Sequence, residues 1–277
     1  ISAIIVWAVI GILPLLLGNA TKISKYLINH NKEYIAELKL GVKTDTADGE
    51  GKVIAEKQVN LEEIFENINE SIQQILNSFV GKTLQKPPMY SAIKVNGKKL
   101  YEYARKNEKV EVKSRQIEIY KMELIKLDLK ENIIKFKVRC SKGTYIRTLC
   151  EDIAEKLNTY GYMKELQRTE VGDFKIENAI TIGELEELVN ENKLKDKINE
   201  EALNIVNSKD RKYFIKIEEL FMDKKIINLD EDLLNKFLNG VMIKNNNIDG
   251  IYRIYNKNNY IGIGVNKNQK LKRDVIV

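Results

Sequence analysis

The first 21 residues carry no charged side chain, and this run limits what the N-terminal part of the chain can form. Residues 1–18 are long and apolar enough to suggest a membrane-spanning helix or the core of a signal peptide. Three features weigh against both: no Lys or Arg precedes the run, Pro14 lies inside it, and no small-residue cleavage site follows it. The composition of the run alone still leaves a membrane anchor open.

The composition of the whole chain excludes several classes of protein. Its 277 residues suit one large domain, or a medium domain with a small one. With 43% hydrophobic and 31% charged residues the chain can bury a core, which excludes global disorder. The single histidine, His30, excludes a multi-histidine metal site and a Ser-His-Asp triad built elsewhere. Cys140 and Cys150 lack metal or redox spacing, so we expect two buried thiols in a reducing cytosol.

Hydrophobic periodicity and turn residues predict a mixture of helices and strands up to about residue 210. The predicted elements are a strand at 34–42, a loop at 44–51, a helix at 61–80 ended by Gly81, a loop at 85–88, a short helix at 97–105, two or three strands within 110–140 that include one at 133–140, and a helix at 146–157. The Lys- and Asn-rich stretch 190–212 resembles a connection, and short strands follow it. We therefore predict a large domain at 1–210 and a small β-rich domain at 211–277.

Positive charge is concentrated in the middle of the chain. Segment 85–147 holds 17 Lys and Arg against 7 Asp and Glu, a net charge of +10, whereas the whole chain carries +6. The same segment contains Tyr90, Tyr101, Tyr103, Tyr120 and Tyr145. This combination is typical of a polyanion-binding face with stacking side chains. A solvated, lysine-rich face would explain the charge as well, so charge alone leaves both interpretations open.

Four segments carry a more specific signal through their order and spacing. They are GILPLLLGNATK (11–22), KEYIAELKLGVKTDTADGEG (32–51), KPPMYSAIKVNGKKLYEYAR (86–105) and RCSKGTYIRTL (139–149). Together they resemble the bacterial tRNA pseudouridine synthase B (TruB) family. The resemblance continues in LQR (166–168), in VGDF (171–174), and in the stretch 238–264, which is similar to the small PUA-like RNA-binding domain of that family.

The resemblance implies a fold class, a location and a reaction. The fold is α+β: a mixed, largely antiparallel sheet with flanking helices in a catalytic domain at 1–210, then a PUA-like domain at 211–277. The reaction breaks the N1–C1′ bond of uridine 55 in the T-arm of tRNA, turns the base and rejoins it through C5, after the nucleotide is extruded from the stack. Such an isomerisation requires no metal and no cofactor. Because the GILPLLLG run belongs to a soluble family, we expect a cytoplasmic monomer without a membrane partner.

The resemblance also assigns roles to individual residues. Arg147 matches the arginine that pairs with the catalytic aspartate and would hold it ionised and oriented. Tyr34 matches the tyrosine that packs on the flipped base, although by itself it would be taken for a core residue of a strand. Tyr145 would line the pocket, and Leu166 matches an apolar pocket wall. The candidates for phosphate contact are Lys94, Lys98, Lys99 and Arg105, each of which could instead be merely solvated.

The segment before Gly11 departs from the family pattern. In the family, the residues just before G-[VI]-L-P read H-x-G-T-L-D-P, and the Asp is the nucleophile. Counted back without a gap, this Asp falls on Val6, the Pro on Trp7 and the His on Ile1. Because the match resumes abruptly at Gly11, we hypothesise a shifted reading frame upstream, which predicts that another frame of the preceding DNA encodes G-T-L-D-P. For residues 1–10 we expect strand or irregular structure.

The sequence thus leads to one function and one alternative. The function is tRNA pseudouridine synthase, and the alternative is a catalytically inactive protein that binds tRNA and assists its folding. Asp45 and Asp48 could supply another carboxylate, but the dense turn formers of 44–51 favour a role in the turn. Without its nucleophile, the chain should bind tRNA yet isomerise uridine slower by a factor of about 10⁴ or more.

Overall fold

The structure is a computed structural model that describes residues 3–8, 11–106, 108–191 and 213–277, and the chain forms two compact units. One unit comprises residues 29–173, and the other comprises residues 1–28 together with 174–277. Residues 1–28 are thus grouped with the C-terminal part of the chain rather than with 29–173. The predicted domain boundary at residue 210 lies outside the described residues, so it stays a prediction.

The N-terminal apolar run forms two strands and not a helix. Strand β1 (Ala3–Ala8) pairs antiparallel with β2 (Ile12–Leu17), and a 3₁₀ turn at Gly18–Ile23 leads into the short helix α1 (Ser24–Leu27). Pro14 lies in β2, which is an edge strand, where a missing N–H costs no ladder hydrogen bond. Within the described part of the chain, no helix has the length and apolar character needed to cross a membrane.

The unit 29–173 is built on an antiparallel sheet. Its five main strands run in the spatial order β11–β3–β10–β9–β6, and β4–β5 and β7–β8 form two separate two-stranded ladders. The strands are β3 (Lys32–Leu40), β4 (Val42–Thr44), β5 (Val53–Glu56), β6 (Gly81–Gln85), β7 (Lys94–Val95), β8 (Lys98–Lys99), β9 (Arg115–Asp128), β10 (Ile133–Cys140) and β11 (Gly161–Val171). Every second residue of the end of β3 is buried, from Ala36 to Leu40, so one face of the sheet carries the core.

Four helices belong to this unit: α2 (Leu61–Ile64), α3 (Ile68–Asn77), α4 (Leu100–Arg105) and α5 (Ile146–Lys156). The prediction of one helix over 61–80 is wrong, because the helix is interrupted between α2 and α3. Phe65 has an extended backbone, and Asn67 begins the next helix by accepting the N–H of Ser71, while its side chain donates to Glu70. The apolar periodicity continues across this break, so hydrophobic pattern alone does not reveal it.

The other unit continues with a second, smaller sheet. The remaining elements are β12 (Phe174–Lys175), α6 (Ile182–Glu191), β13 (Phe214–Lys216), β14 (Ile226–Asn228), α7 (Glu231–Leu238), β15 (Ile243–Lys244), β16 (Gly250–Asn256), β17 (Asn259–Lys267) and β18 (Lys270–Ile276). Strand β13 pairs with β1, and the order β14–β16–β17–β18–β15 is antiparallel except for β14–β16. Asp230 caps α7 by accepting the N–H of Leu233 at 2.8 Å. The predicted α+β fold with largely antiparallel sheets and a β-rich C-terminal domain is confirmed.

Helix α5 packs on the core face of the main sheet and buries Leu149, Cys150, Ile153 and Ala154. Both cysteines are fully buried, which confirms the prediction of two buried thiols. The helix lies close to the sheet at Gly161. A Cβ atom on this glycine would lie 2.7 Å from Ala154 Cβ on α5 and 2.7 Å from Leu38 Cδ1 on β3. The absent side chain therefore sets the distance at which α5 docks.

We expect Gly161→Ala to destabilise the protein by about 1–3 kcal/mol, because overpacking would push α5 off the sheet. Gly183→Ala is the control, since a Cβ there meets nothing within 4 Å and the residue lies in helix α6. The control should be neutral or should stabilise by up to about 1 kcal/mol. Urea unfolding of both variants measures the difference, and equal effects would contradict this view of the contact.

The surroundings of Asp152 on α5 disfavour its charged form. Burial raises its pKa to about 6, and the neighbouring carboxylates of Glu151 and Glu155 add to the increase. An unfolded aspartate titrates near pH 3.9, so the folded chain binds this proton more tightly than the unfolded chain does. The free energy of unfolding should therefore fall as the pH rises from about 4 to about 6.

We expect Asp152→Asn to remove this contribution to the pH dependence. The variant should be more stable than the parent at pH 7, and the difference should shrink toward pH 4, where both side chains are neutral. Urea unfolding at several pH values between 4 and 7 measures it. Glu111 is exposed and is not among the groups that shift the pKa of Asp152, so Glu111→Gln provides the control. A stability difference between Asp152→Asn and the parent that does not change with pH would show that Asp152 titrates normally.

Candidate functional site

Arg147 lies in the first turn of α5 and is the centre of a polar cluster. Its Nη1 is 2.9 Å from Asp48 Oδ2 and also donates to the carbonyl oxygen of Thr46 at 3.4 Å. Its Nη2 donates to the carbonyl oxygen of Tyr90 at 2.8 Å. Only about a fifth of each charged side chain is exposed, at 23% for Arg147 and 21% for Asp48. The guanidinium thus joins α5, the 44–51 loop and the segment after β6, and its orientation is fixed from both sides.

The carboxylate of Asp48 is itself held by its own loop. Its Oδ1 accepts the hydroxyl of Thr46 at 2.5 Å and the N–H of Glu50 at 3.3 Å. The loop is attached to β11, since the N–H of Met163 donates to the carbonyl of Ala47 at 3.0 Å. Asp45 has a different role: its Oδ1 accepts the N–H of Lys52 at 2.8 Å and closes the turn. The turn interpretation therefore fits Asp45, whereas Asp48 both shapes the loop and pairs with Arg147.

A second ion pair lies one helical turn further along α5. Glu151 is 3.5 Å from Lys43 Nζ on β4, at the start of the same loop. Burial raises the pKa of Glu151, and the positive charge of Lys43 partly offsets this. Because residues four apart lie on one side of a helix, Arg147 and Glu151 present a single edge of α5 to the 44–51 loop.

The start of α5 is clamped by a buried glutamine. Gln85 Nε2 donates to the carbonyl of Tyr145 at 3.0 Å, and Gln85 Oε1 accepts the N–H of the same residue at 2.8 Å. Tyr145 is the N-cap residue of α5, so it stands two positions before Arg147. With 5% of its surface exposed, Gln85 makes these hydrogen bonds away from competing water. The clamp therefore fixes the backbone position from which the side chain of Arg147 extends.

Tyr34 and Leu166 share the face of the sheet on which α5 packs. Tyr34 lies opposite Arg168 across the β3–β11 ladder, and Leu166 lies opposite Ala36, two residues from Tyr34 on β3. Both side chains are half-buried against the main core. Burial raises the pKa of Tyr34, while a hydrogen bond from Arg168 and its positive charge oppose the increase. The structure thus places a tyrosine ring and an apolar wall on the same side of the sheet as Arg147.

The predicted phosphate contacts lie on the β7–β8 hairpin and on α4. Lys94 and Lys99 are directly opposite each other across the hairpin, which places two like charges side by side. Lys98 Nζ lies 5.7 Å from the ring centre of Tyr103, while Lys99 and Arg105 each lie 5.3 Å from that of Tyr101. The hairpin is connected to Arg147, because Tyr101 N–H donates to the carbonyl of Ser91, the residue after Tyr90. The basic residues of the hairpin and α4 therefore follow directly after the segment that accepts a hydrogen bond from Arg147.

Sequence reasoning missed three parts of this cluster: the pairing of Asp48 with Arg147, the Gln85 clamp, and the Tyr90 carbonyl. The density of Asp in TDTADGEG was a signal for the first. The other two are backbone contacts to residues 57 or 60 positions away and leave no local pattern. Among residues 11–106, 108–191 and 213–277, no group of three or more His, Cys, Asp and Glu side chains is placed to hold a metal ion.

We expect Asp48→Asn to destabilise the unit by about 1–3 kcal/mol, because it leaves the half-buried guanidinium of Arg147 without its countercharge. Asp45→Asn keeps the acceptor oxygen of the turn and should cost less than about 1 kcal/mol. A double-mutant cycle with Arg147→Met, measured by urea unfolding, should give a coupling energy of about 1 kcal/mol or more. Additive effects of the two substitutions would show that the pair contributes nothing.

Comparison with known proteins gives matches along most of the chain. Residues 7–146 match the model of the TruB family pseudouridylate synthase N-terminal domain, residues 147–208 match the tRNA pseudouridylate synthase B C-terminal domain, and residues 226–272 match the C-terminal domain of pseudouridine synthase II TruB. The chain is 39% identical over 260 residues to tRNA pseudouridine synthase B of Clostridium tetani (strain Massachusetts / E88), covering 92% of this chain and 81% of that protein. It is 40% identical over 254 residues to tRNA pseudouridine synthase B of Francisella tularensis subsp. novicida (strain U112), covering 91% and 76%.

Solved structures share the fold at lower sequence identity. A chain in the crystal structure of a Cbf5–Nop10–Gar1 complex aligns with a TM-score of 0.60 at 20% identity, covering 96% of this chain and 71% of that one. A chain in the structure of an H/ACA RNP bound to a substrate RNA containing 2′-deoxyuridine aligns with a TM-score of 0.57 at 20% identity, covering 96% and 70%. The family models and the curated relatives together settle the classification: the chain belongs to the TruB family of pseudouridylate synthases.

Proposed function

We propose that this chain is by descent a tRNA pseudouridine synthase for uridine 55 of the T-arm, which works by base flipping and without metal or cofactor, and that it lacks the Asp nucleophile of the family pattern. The observation that carries the proposal is the Arg147 cluster, in which a fixed guanidinium faces a carboxylate. The half-buried Tyr34 lies on the same side of the sheet, and a basic hairpin follows the segment that Arg147 contacts. Membership of the family and the relatives named tRNA pseudouridine synthase B support the same reaction. The protein would work as a cytoplasmic monomer.

Each group has a task in this proposal. The hairpin lysines and Arg105 attract the phosphates of the T-arm, a contribution that weakens as salt is added. Tyr34 packs on the extruded uracil and repays part of the unstacking cost, while Leu166 closes the pocket and Tyr145 lines it. Arg147 would keep the catalytic carboxylate of the family pattern ionised, because a neighbouring cation favours the charged form, but the position of that carboxylate is Val6 in this chain. The product has the same composition and oxidation state as the substrate, so no redox group takes part.

One observation favours a second function, that of a tRNA-binding protein without turnover. Where the family pattern has its nucleophilic Asp, this chain has Val6, and the first acidic residue of the sequence is Glu33. The carboxylate that pairs with Arg147 is Asp48, which is already engaged by the hydrogen bonds of its loop. Binding of tRNA would remain under this alternative, whereas isomerisation would be lost.

Tritium release separates the two functions, because forming the C5–C1′ bond expels the hydrogen at C5. We expect the chain to bind T-arm RNA but to release tritium from [5-³H]uridine-labelled tRNA about 10⁴-fold more slowly than a restored variant. The restored variant carries Ile1→His, Ala3→Gly, Ile4→Thr, Ile5→Leu, Val6→Asp and Trp7→Pro. Its control carries the same changes except that Val6→Asn replaces Val6→Asp.

The possible results differ clearly. Rapid release by the restored variant alone supports the synthase and assigns the missing step to residue 6. Equally rapid release by the unchanged chain would show that another carboxylate serves as nucleophile, and Asp48→Asn would then test Asp48. Failure of every variant to bind T-arm RNA would overturn the proposed function in both forms.

A further inference from the structure

Strand β11 has an irregularity directly after the residue that faces Tyr34. Arg168 pairs with Tyr34 on β3. The next pair along the ladder joins Glu170 to Glu33, so that Thr169 is an extra residue in β11. Such a β-bulge redirects the side chains beside it, and bulges are common next to active sites. The bulge therefore sets the direction in which Arg168 extends from its strand.

The bulge is fixed from the face of the sheet opposite to Tyr34. The hydroxyl of the buried Thr169 donates to Glu33 Oε1 at 2.9 Å. Glu33 Oε1 also lies 3.4 Å from Lys137 Nζ on β10, and only 16% of the Glu33 side chain is exposed. Glu33 directly precedes Tyr34, and successive residues of a strand point to opposite faces. Contacts on that opposite face thus hold the bulge, while Arg168 and Tyr34 lie on the side of the candidate site.

Arg168 holds the far end of the Tyr34 side chain. Its guanidinium donates a hydrogen bond to the phenol oxygen of Tyr34, since an arginine side chain has donors only. A hydrogen bond from a charged donor is stronger than one between neutral groups. The ring of Tyr34 is itself half-buried against the main core. The ring is therefore tied at both ends, by its Cβ on β3 and by its oxygen to β11.

The apolar wall of the proposed pocket lies on the same strand as this tether. Leu166 lies two residues before Arg168 on β11, opposite Ala36, which lies two residues after Tyr34 on β3. Residues two apart in a strand share a face of the sheet. Strand β11 thus contributes both the wall of the pocket and the side chain that holds the phenol oxygen of Tyr34.

We propose that Arg168 is a positioning residue that orients the ring of Tyr34 to pack on the extruded uracil. The inference rests on the proposed function, which gives Tyr34 this packing role. Arg168 acts through Tyr34 and needs no contact with the RNA. A ring that is already held in one orientation loses little freedom when a base packs on it, whereas a free ring must be ordered on binding. Arg168 therefore raises the affinity for the base without changing the contacts to phosphates.

The test separates base contact from phosphate contact by means of two T-arm stem-loops. One carries uridine at the target position and the other carries an abasic nucleotide there, so the two differ only in the base. We call the ratio of the two affinities the base ratio. The cost of extruding the base belongs to the RNA, so it cancels when the base ratios of two protein variants are compared. Contacts to phosphates cancel as well, because both stem-loops share them.

Five variants are compared with the parent. Arg168→Met removes the donor at similar length, Arg168→Lys keeps a charged donor, and Tyr34→Phe keeps the ring but removes the acceptor. A double variant combines Arg168→Met with Tyr34→Phe. The control Arg139→Met removes the same charge from an exposed residue of β10, whose partner across the β3–β10 ladder is Glu33 on the opposite face.

We expect Arg168→Met to lower the base ratio by about 5-fold, which is part of the contribution of a base stacked on an aromatic side chain. Its affinity for the abasic stem-loop should stay within about 2-fold of the control variant, because both lose one charge. Tyr34→Phe should lower the base ratio by the same factor. The double variant should show no further loss, since either change breaks the same hydrogen bond. Arg168→Lys should recover most of the base ratio, and Arg139→Met should keep it.

Other results overturn the inference. A base ratio that Arg168→Met or Tyr34→Phe leaves unchanged would show that the hydrogen bond does not orient the ring, and Tyr34→Phe decides this even if Arg168→Met fails to fold. Additive losses in the double variant would place Arg168 in direct contact with the RNA. Equal loss on both stem-loops, with a lower melting temperature, would assign Arg168 a structural role only. If the parent binds neither stem-loop, the proposed function fails together with the inference, whereas binding by the parent with unchanged base ratios in every variant contradicts the inference alone.

Discussion

The ion pair between Arg147 and Asp48 is the interaction on which the arrangement of the candidate site depends. It joins three pieces of chain that are remote in sequence: α5, the 44–51 loop, and the segment that follows β6. Partial burial makes the pair stronger than an exposed one, and it also makes loss of either partner costly, because the remaining charge would be stranded. The charge of Arg147 is therefore both a structural tie and the electrostatic centre of the site.

Other residues of the unit position helix α5 and thereby the ion pair. Gln85 fixes the backbone of Tyr145 at the start of α5, and Gly161 allows the helix to lie close on β3 and β11. Lys43 and Glu151 hold the same edge of the helix one turn later. A functional side chain placed in this way is oriented by packing and by hydrogen bonds around it, which limits the reorganisation that a bound substrate would require.

Local hydrophobic periodicity predicted some elements well, but it failed where contacts between residues distant in sequence determine the structure. The strand at 133–140 and the helix starting at 146 have the predicted bounds, within one residue, because alternation and a helical stripe record burial directly. The break at Phe65 escaped prediction because the apolar spacing is the same on both sides of it. Gln85 could not be recognised, since its role depends on a partner 60 residues away. The sequence assigned Asp48 to the turn alone, whereas in the structure it both stabilises the turn and pairs with Arg147.

The two buried thiols have a practical consequence. Burial raises the pKa of Cys140 to about 11 and also raises the pKa of Cys150, so at neutral pH neither forms the reactive thiolate to any useful extent. The wild-type background is therefore nearly silent toward maleimide reagents. Two cysteines introduced at exposed positions of one unit could carry a donor and an acceptor fluorophore without removal of the native thiols, and the distance between them would become accessible to spectroscopy.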